Sequence, residues 1–91
     1  MNVGASQKWQ SLVDSFSLHK PGVNPWDANE LDEQFDGASH GEKCTIQFLL
    51  NLWNGSDDWK CGKFDLFDAF ATWNETQRTA FLSWAIDPWW P

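Results

Sequence analysis

The chain has 91 residues and a formal net charge of −7, from six basic and thirteen acidic side chains. Eight tryptophans and seven phenylalanines bring the aromatic content to 16% of the residues. The length fits one ordinary domain, the aromatic content argues against intrinsic disorder, and the acidic balance argues against direct binding of nucleic acid through a basic surface.

Two helices are predicted in the first part of the chain. The first covers about residues 7–18, with Ser6 as its N-cap, because apolar residues recur on one helical face at Trp9, Leu12, Val13 and Phe16. The second covers about residues 28–35. Asp27 and Glu30 have the spacing of a capping box at its start, and an Asp-Gly pair ends it.

The third predicted helix, at about residues 40–54, is the most apolar segment of the chain. Ser39 and Glu42 have the spacing of a capping box, and Gly55 follows the last turn. Its polar positions form one narrow stripe, namely Lys43, Gln47, Asn51 and Asn54. A helix that is apolar on most of its circumference is typical of a core position.

Two further helices are predicted at about residues 66–73 and 75–86. Asp65 is the expected N-cap of the first, and its apolar face is predicted at Leu66, Phe67, Phe70 and Trp73. Asn74 and Gln77 form the capping-box pattern of the second, whose buried face is predicted at Ala80, Phe81, Trp84 and Ala85, with Leu82 and Ile86 at its edge.

These elements predict an all-α fold. We expect a compact, irregular bundle of about five short helices packed around the central helix at 40–54, in a single domain over 1–91 with residues 1–5 and 87–91 as tails. No apolar run approaches the length of a membrane span, and the first residues lack a signal-peptide pattern. With only two cysteines, Cys44 and Cys61, the expected compartment is the cytoplasm, where thiols stay reduced.

The second helix is strongly acidic. Five carboxylates lie within ten residues without an intervening base, at Asp27, Glu30, Asp32, Glu33 and Asp36. They fit a solvated helix face, a docking surface for a basic partner, or an imitation of the phosphates of nucleic acid.

The eight tryptophans divide into two groups. Trp9, Trp53, Trp73 and Trp84 lie on helical faces and are predicted to be core residues, and Trp26 has the spacing of a hydrophobic staple with Leu31. Trp59, Trp89 and Trp90 have no periodic reason to be buried. They fit a partner-binding surface, or, for the two in the tail, a plug that closes one end of the bundle.

A zinc site is the sharpest metal hypothesis. His40 and Cys44 are four residues apart at the start of the third helix, Cys61 follows in a loop, and His19 offers a fourth ligand. Because paired ligand spacings are missing, we expect ordinary core and surface roles for these residues and no cofactor. Asp65 and Asp68 are explained by helix capping, so no catalytic residues are predicted.

The sequence therefore predicts a small acidic, non-enzymatic interaction module, an adaptor or inhibitor. Its partner is expected to be another protein with a basic surface. The expected contact residues are Glu30, Asp32, Glu33, Asp36, Trp59, Trp89 and Trp90. The alternatives are a nucleic-acid-mimicking inhibitor of a DNA- or RNA-handling enzyme, a zinc-stabilised module and a homodimeric structural protein.

Overall fold

The computed structural model describes the backbone of residues 3–91 and the side chains of residues 7–91. In chain order the helices are α1 (Val3–Ser15), α2 (Ala28–Glu33), a 3-10 turn (Phe35–Gly37), α3 (His40–Asn54), α4 (Leu66–Thr72) and α5 (Glu75–Ile86). This part of the chain contains no strand, which confirms the all-α prediction. It also contains no membrane-spanning helix, since its longest helix has 15 residues.

The predicted starts of α2 to α5 are confirmed because side chains cap them locally. In each helix the side chain of the N-cap residue accepts a hydrogen bond from the backbone amide three residues later. The four N-cap residues are Asp27, Ser39, Asp65 and Asn74. Full capping boxes form in α3 and α5. In α2 the amide of Asp27 instead donates to the carbonyl of Gly22, at 2.8 Å.

The first helix differs from its prediction at both ends. It begins at Val3, so Ser6 lies inside it and is not the N-cap, and residues 3–5 are helical rather than tail. Residues 1 and 2 of the predicted tail lie outside the described part. The helix ends at Ser15, because Ser17 adopts the left-handed conformation with φ 55°. Leu18, the predicted last residue, is buried in the following loop.

Helix α3 is the centre of the fold, as predicted. It packs against α2 and α4, while α1 packs against α5. Seven of its fifteen residues are buried. The buried polar side chain among them, Thr45, is fully bonded, because its hydroxyl donates to the Gly41 carbonyl at 3.1 Å and accepts from the indole nitrogen of Trp73 at 3.0 Å. This pair satisfies polar groups that would otherwise destabilise the core.

The aromatic rings form two clusters. Phe48 of α3 is the centre of the inner cluster, with ring centroids of Phe16, Phe64, Phe81 and Trp84 within 5.1–5.7 Å. The second cluster lies at the C-terminal end of α3 and contains Trp9, Trp26 and Trp53. Ring pairs at these spacings each add about 0.5–1.5 kcal/mol beyond burial, so aromatic contacts replace the aliphatic side chains that the chain lacks.

The predicted buried face of α4 is wrong in part. Leu66 and Phe67 are exposed, Phe67 by 87%, whereas Ala69 and Trp73 are fully buried. In α5, Ala80 is buried as predicted, but Ile86 is 83% exposed. A helix of seven residues is too short for its own periodicity to define a face. The small side chain of Ala69 faces the core, which leaves Phe67 in solvent.

The polar stripe of α3 holds the loop of residues 56–64. The side-chain amide of Gln47 donates to the carbonyl of Cys61 at 2.9 Å. Asn51 donates to the Gly62 carbonyl at 3.0 Å and accepts from the Phe64 amide at 2.9 Å. These bonds satisfy backbone groups of a segment that lacks secondary structure. The stripe therefore anchors a loop instead of facing only solvent.

Candidate functional site

A groove lined by three tryptophans opens between α1, the loop before α2 and the end of α3. We call it the tryptophan groove. It has a volume of about 510 Å³, within the usual range for ligand pockets. Its walls are Trp9, Trp26, Trp53, Pro25 and Pro91, with the amide side chains of Gln10 and Asn24 at its polar edge.

Each ring of the groove is held by its neighbours. The Trp9 centroid lies 5.0 Å from that of Trp26 and 5.1 Å from that of Trp53, and Trp26 and Trp53 are 5.4 Å apart. Gln10 donates to the carbonyl of Val23 at 2.9 Å, which ties the loop carrying Pro25 to α1. The groove is therefore a preorganised aromatic surface.

The exposure of the three rings differs. Trp9 is buried with 2% exposure, Trp26 is half-buried, and Trp53 is 37% exposed. The prediction that Trp53 is a core residue is therefore wrong. It lies in the last turn of α3, where it contacts Trp9 and Trp26 but stays partly exposed.

Two indole N–H groups in the groove wall have no hydrogen-bond acceptor among the described residues. They are the Nε1 atoms of Trp9 and Trp26, and both are covered from solvent. The two rings meet edge to face, with an interplanar angle of 79°. An N–H group in such a pair gains only a weak contact with a ring. These two unpaired donors are therefore a cost to the folded state that the packing of the rings has to offset.

Residues 87–91 follow α5 as a non-helical segment, and their two adjacent tryptophans have different environments. Trp89 is half-buried, with its ring 6.3 Å from Trp9 and beneath the ammonium of Lys8 at 4.6 Å. Trp90 is 68% exposed. The backbone carbonyl of Trp89 accepts a hydrogen bond from the indole nitrogen of Trp84 at 2.8 Å. Trp89 thus packs against α1, whereas Trp90 contacts Trp84 and is otherwise largely in solvent.

The acidic helix α2 offers fewer free carboxylates than its sequence suggests. Asp27 caps the helix, and Asp36 forms an ion pair with Lys60 at 3.0 Å. Asp32 accepts from the backbone amides of Lys60 and Cys61 at 2.9 and 3.0 Å. Two exposed carboxylates remain, at Glu30 and Glu33, with no ion-pair partner among residues 7–91.

The structure brings Trp59 close to the acidic helix. Trp59 is half-buried, and its indole nitrogen donates to the side chain of Asn54 at 3.2 Å. The next two residues of the loop bond to Asp32. The predicted contact residues therefore fall into two regions, one around α2 and Trp59 and the other at the tail with Trp89 and Trp90.

The predicted zinc ligands are only partly brought together. His40 and Cys44 lie side by side, and Asp68 of α4 completes a cluster with them. Cys61 lies elsewhere, with its thiol against the Gly62 carbonyl at 3.7 Å, and it is not part of the cluster. His19 is exposed in the loop after α1 and is not part of it either.

Neither cysteine has the environment of a nucleophile. Burial and the Asp68 carboxylate raise the pKa of the Cys44 thiol to about 11. Burial and Asp32 raise the pKa of Cys61 to about 12. A reactive cysteine needs a lowered pKa. His40 bonds to Asp68 at 2.8 Å, and this hydrogen bond lowers the pKa of the Asp68 carboxyl.

Sequence reasoning missed the tryptophan groove. It placed Trp53 in the core and assigned Trp26 to a local staple, although Trp26 contacts both Trp9 and Trp53. One signal was present in the sequence. Pro25 precedes Trp26, and the tail reads Pro88-Trp89-Trp90-Pro91, so each segment combines proline with tryptophan outside a helix.

Comparison of the chain with models of known protein families, with curated protein sequences and with solved structures gives no significant match.

Proposed function

We propose that this chain is a non-enzymatic protein-interaction module, an adaptor or inhibitor, that binds a proline-containing segment of a partner protein in the tryptophan groove. The observation that carries the proposal is the groove itself, where the rings of Trp9, Trp26 and Trp53 stand with Pro25 and Pro91 in one open surface. Aromatic-lined grooves bind extended proline-rich segments, because such segments lose little entropy on binding.

The tail of the chain supports this choice of ligand. Pro88 and Pro91 have the Pro-x-x-Pro spacing of a polyproline II segment. Pro91 lies in the groove wall, and the carbonyl of Trp89 accepts from the indole nitrogen of Trp84. Polyproline II backbone leaves its carbonyls free for such donors. The tryptophans of this chain therefore already contact a segment of the proposed kind.

The charge of the chain supports a basic partner. The net charge is −7, and Glu30 and Glu33 are exposed on α2. Charges of this kind accelerate encounter with a positively charged partner more than they strengthen the final complex. We therefore propose a partner segment in which basic residues flank the prolines, with the acidic helix acting through long-range attraction.

The proposal includes a non-catalytic role and a cytoplasmic location. The absence of an activated nucleophile at Cys44 and Cys61 supports the first. The second is supported by the two thiols, which are free and buried, as is common where the surroundings keep cysteines reduced.

Titration with a synthetic peptide tests the proposal. The ligand is a Pro-x-x-Pro peptide flanked by arginines, and a proline-free peptide of equal charge is the reference. We expect the indole N–H resonances of Trp9, Trp26 and Trp53 to shift in NMR spectra with the proline peptide. Equal binding of both peptides, or shifts confined to Trp59 and Trp90, would overturn the proposal.

A matched pair of variants locates the site. Trp53→Ala removes a partly exposed wall of the groove and should weaken peptide binding about 30-fold, as expected for a hot-spot residue worth about 2 kcal/mol. Trp90→Ala removes a ring of the same type that is 68% exposed and does not line the groove. This control should bind as the unchanged protein does. Equal weakening in both variants would place the binding surface elsewhere.

A further inference from the structure

We propose that His40, Cys44 and Asp68 form a zinc-binding site that bridges α3 and α4. Each residue offers one ligand atom, and the three atoms lie within 4.8 Å of one another. The Nε2 atom of His40 is 2.8 Å from a carboxylate oxygen of Asp68, and the Sγ atom of Cys44 is 3.6 Å from the same oxygen. The three donors therefore converge on one small volume.

The helices position these side chains independently of any ion. His40 and Cys44 are four residues apart in α3, so they project from the same helical face. Asp68 lies in the first turn of α4, where its own amide is bound by Asp65 at 3.2 Å. Since Asp65 performs the capping, the carboxylate of Asp68 is left to reach across to α3.

The donor set selects the class of metal. Imidazole nitrogen, thiolate sulfur and carboxylate oxygen are the three ligand types that zinc takes in proteins, whereas calcium and magnesium require oxygen ligands. Neighbouring ligand atoms around a tetrahedral zinc ion lie about 3.3–3.7 Å apart, given bond lengths of about 2.0–2.3 Å. The Cys44–Asp68 distance of 3.6 Å is already in this range, whereas the Asp68 oxygen, 2.8 Å from the His40 nitrogen, has to rotate away from it to make room for the ion.

The three ligand residues differ in their exposure to solvent. The side chains of His40 and Asp68 are 62% and 45% exposed, whereas Cys44 is 1% exposed. An ion therefore enters from solvent and binds above the thiol. Three protein ligands leave the fourth position to water or to a ligand from a partner, which is the arrangement of an open zinc site.

Binding is balanced in charge and protons. As the bond from Sγ to zinc forms, the thiol proton of Cys44 leaves to the solvent. The doubly charged ion then meets one thiolate, one carboxylate and one neutral imidazole. The bound cluster has no net charge, and the ion cross-links α3 to α4. This inference does not depend on the tryptophan groove.

Titration with cobalt(II), a spectroscopic substitute for zinc, tests the site in the intact chain under reducing conditions. We expect one ion per chain, a thiolate-to-cobalt charge-transfer band in the near ultraviolet, and displacement of cobalt by zinc. Zinc should also raise the melting temperature, because it binds the folded state. Absence of the charge-transfer band would overturn the proposal.

The two cysteines provide a matched control. Cys44→Ser should abolish the band, whereas Cys61→Ser, at the other buried thiol, should leave it unchanged. Because Cys44→Ser alters a core position, His40→Ala serves as a second variant at an exposed position. It should weaken cobalt binding about tenfold or more while circular dichroism stays unchanged. Loss of the band in Cys61→Ser, or unchanged affinity in His40→Ala, would contradict the assignment.

Discussion

The two adjacent tryptophans of the tail offer a sharp test of the packing. Trp89 is half-buried against Trp9 and Lys8, whereas Trp90 is 68% exposed. The substitutions Trp89→Ala and Trp90→Ala therefore remove the same side chain from neighbouring positions with different surroundings. We expect the first to destabilise the protein strongly and the second to have little effect.

The size of the effect follows from the contacts of Trp89. Truncation of a fully buried tryptophan costs about 3–5 kcal/mol, and half-burial reduces this to about 2 kcal/mol. The edge-to-face contact with Trp9 and the cation–π contact with Lys8 each contribute about 0.5–1 kcal/mol and overlap with that figure. We expect a total loss of about 2–3 kcal/mol. The hydrogen bond from Trp84 to the backbone carbonyl survives the substitution.

Thermal unfolding followed by circular dichroism measures the difference. For a domain of this size, 1 kcal/mol corresponds to about 4–8 °C, so Trp89→Ala should lower the melting temperature by about 10–20 °C. Trp90→Ala should cost about 0.5 kcal/mol, because its ring contacts Trp84 from an exposed position. Similar losses in the two variants would refute the expectation that Trp89 contributes much more to stability than Trp90.

Three further predictions concern the loop, the buried thiol and α4. Asp32→Asn should lower the free energy of unfolding in urea by about 2 kcal/mol, because a charged acceptor of two backbone amides is lost. The control Glu33→Gln, at an exposed neighbouring position, should change the free energy of unfolding by no more than about 0.5 kcal/mol. In the folded state the pKa of the Cys61 thiol is about 12, against an ordinary value of 9.0. The folded protein therefore holds this proton over a pH range in which the unfolded chain loses it. This thiol should therefore lower the stability by about 1.4 kcal/mol per pH unit as pH rises through this window, in addition to the fall that Cys44 causes. A Cys61→Ala variant with the same slope as the unchanged protein would contradict this. Phe67→Ser should change the melting temperature by only a few degrees, because its side chain is exposed. Ala69→Leu should lower the free energy of unfolding by about 1–3 kcal/mol through overpacking. A larger loss in Phe67→Ser than in Ala69→Leu would mean that Phe67, and not Ala69, lies on the buried face of α4.

Much of the secondary structure follows from the sequence because it depends on neighbours along the chain. The starts of α2 to α5 are set by side chains such as Ser39 and Asn74, which bond three residues ahead. The end of α3 is set by Gly55, whose φ of 67° suits glycine. The central position of α3 follows from its apolar circumference, since few other segments could fill a core.

The faces of the shorter helices, and the candidate site, depend on the tertiary structure. Whether Phe67 or Ala69 of α4 is buried is decided by the helix packed against it. Lys60 is distant from Asp36 in the sequence but forms an ion pair with it in the structure. The number of acidic residues in the sequence is therefore larger than the number of unpaired carboxylates around α2. Asp68 reaches His40 and Cys44 only because α4 packs on α3.

The composition by itself determined that aromatic rings must build this core, because branched aliphatic residues are too few. It could not determine which rings stay open to a partner. Trp53 has the helical spacing of a core residue, yet its surroundings leave it 37% exposed beside Trp26. Whether a side chain is buried depends on which other elements pack against it. The periodicity of the sequence shows only the side of the helix on which the residue lies. The tryptophan groove therefore became visible only when three distant segments were brought together.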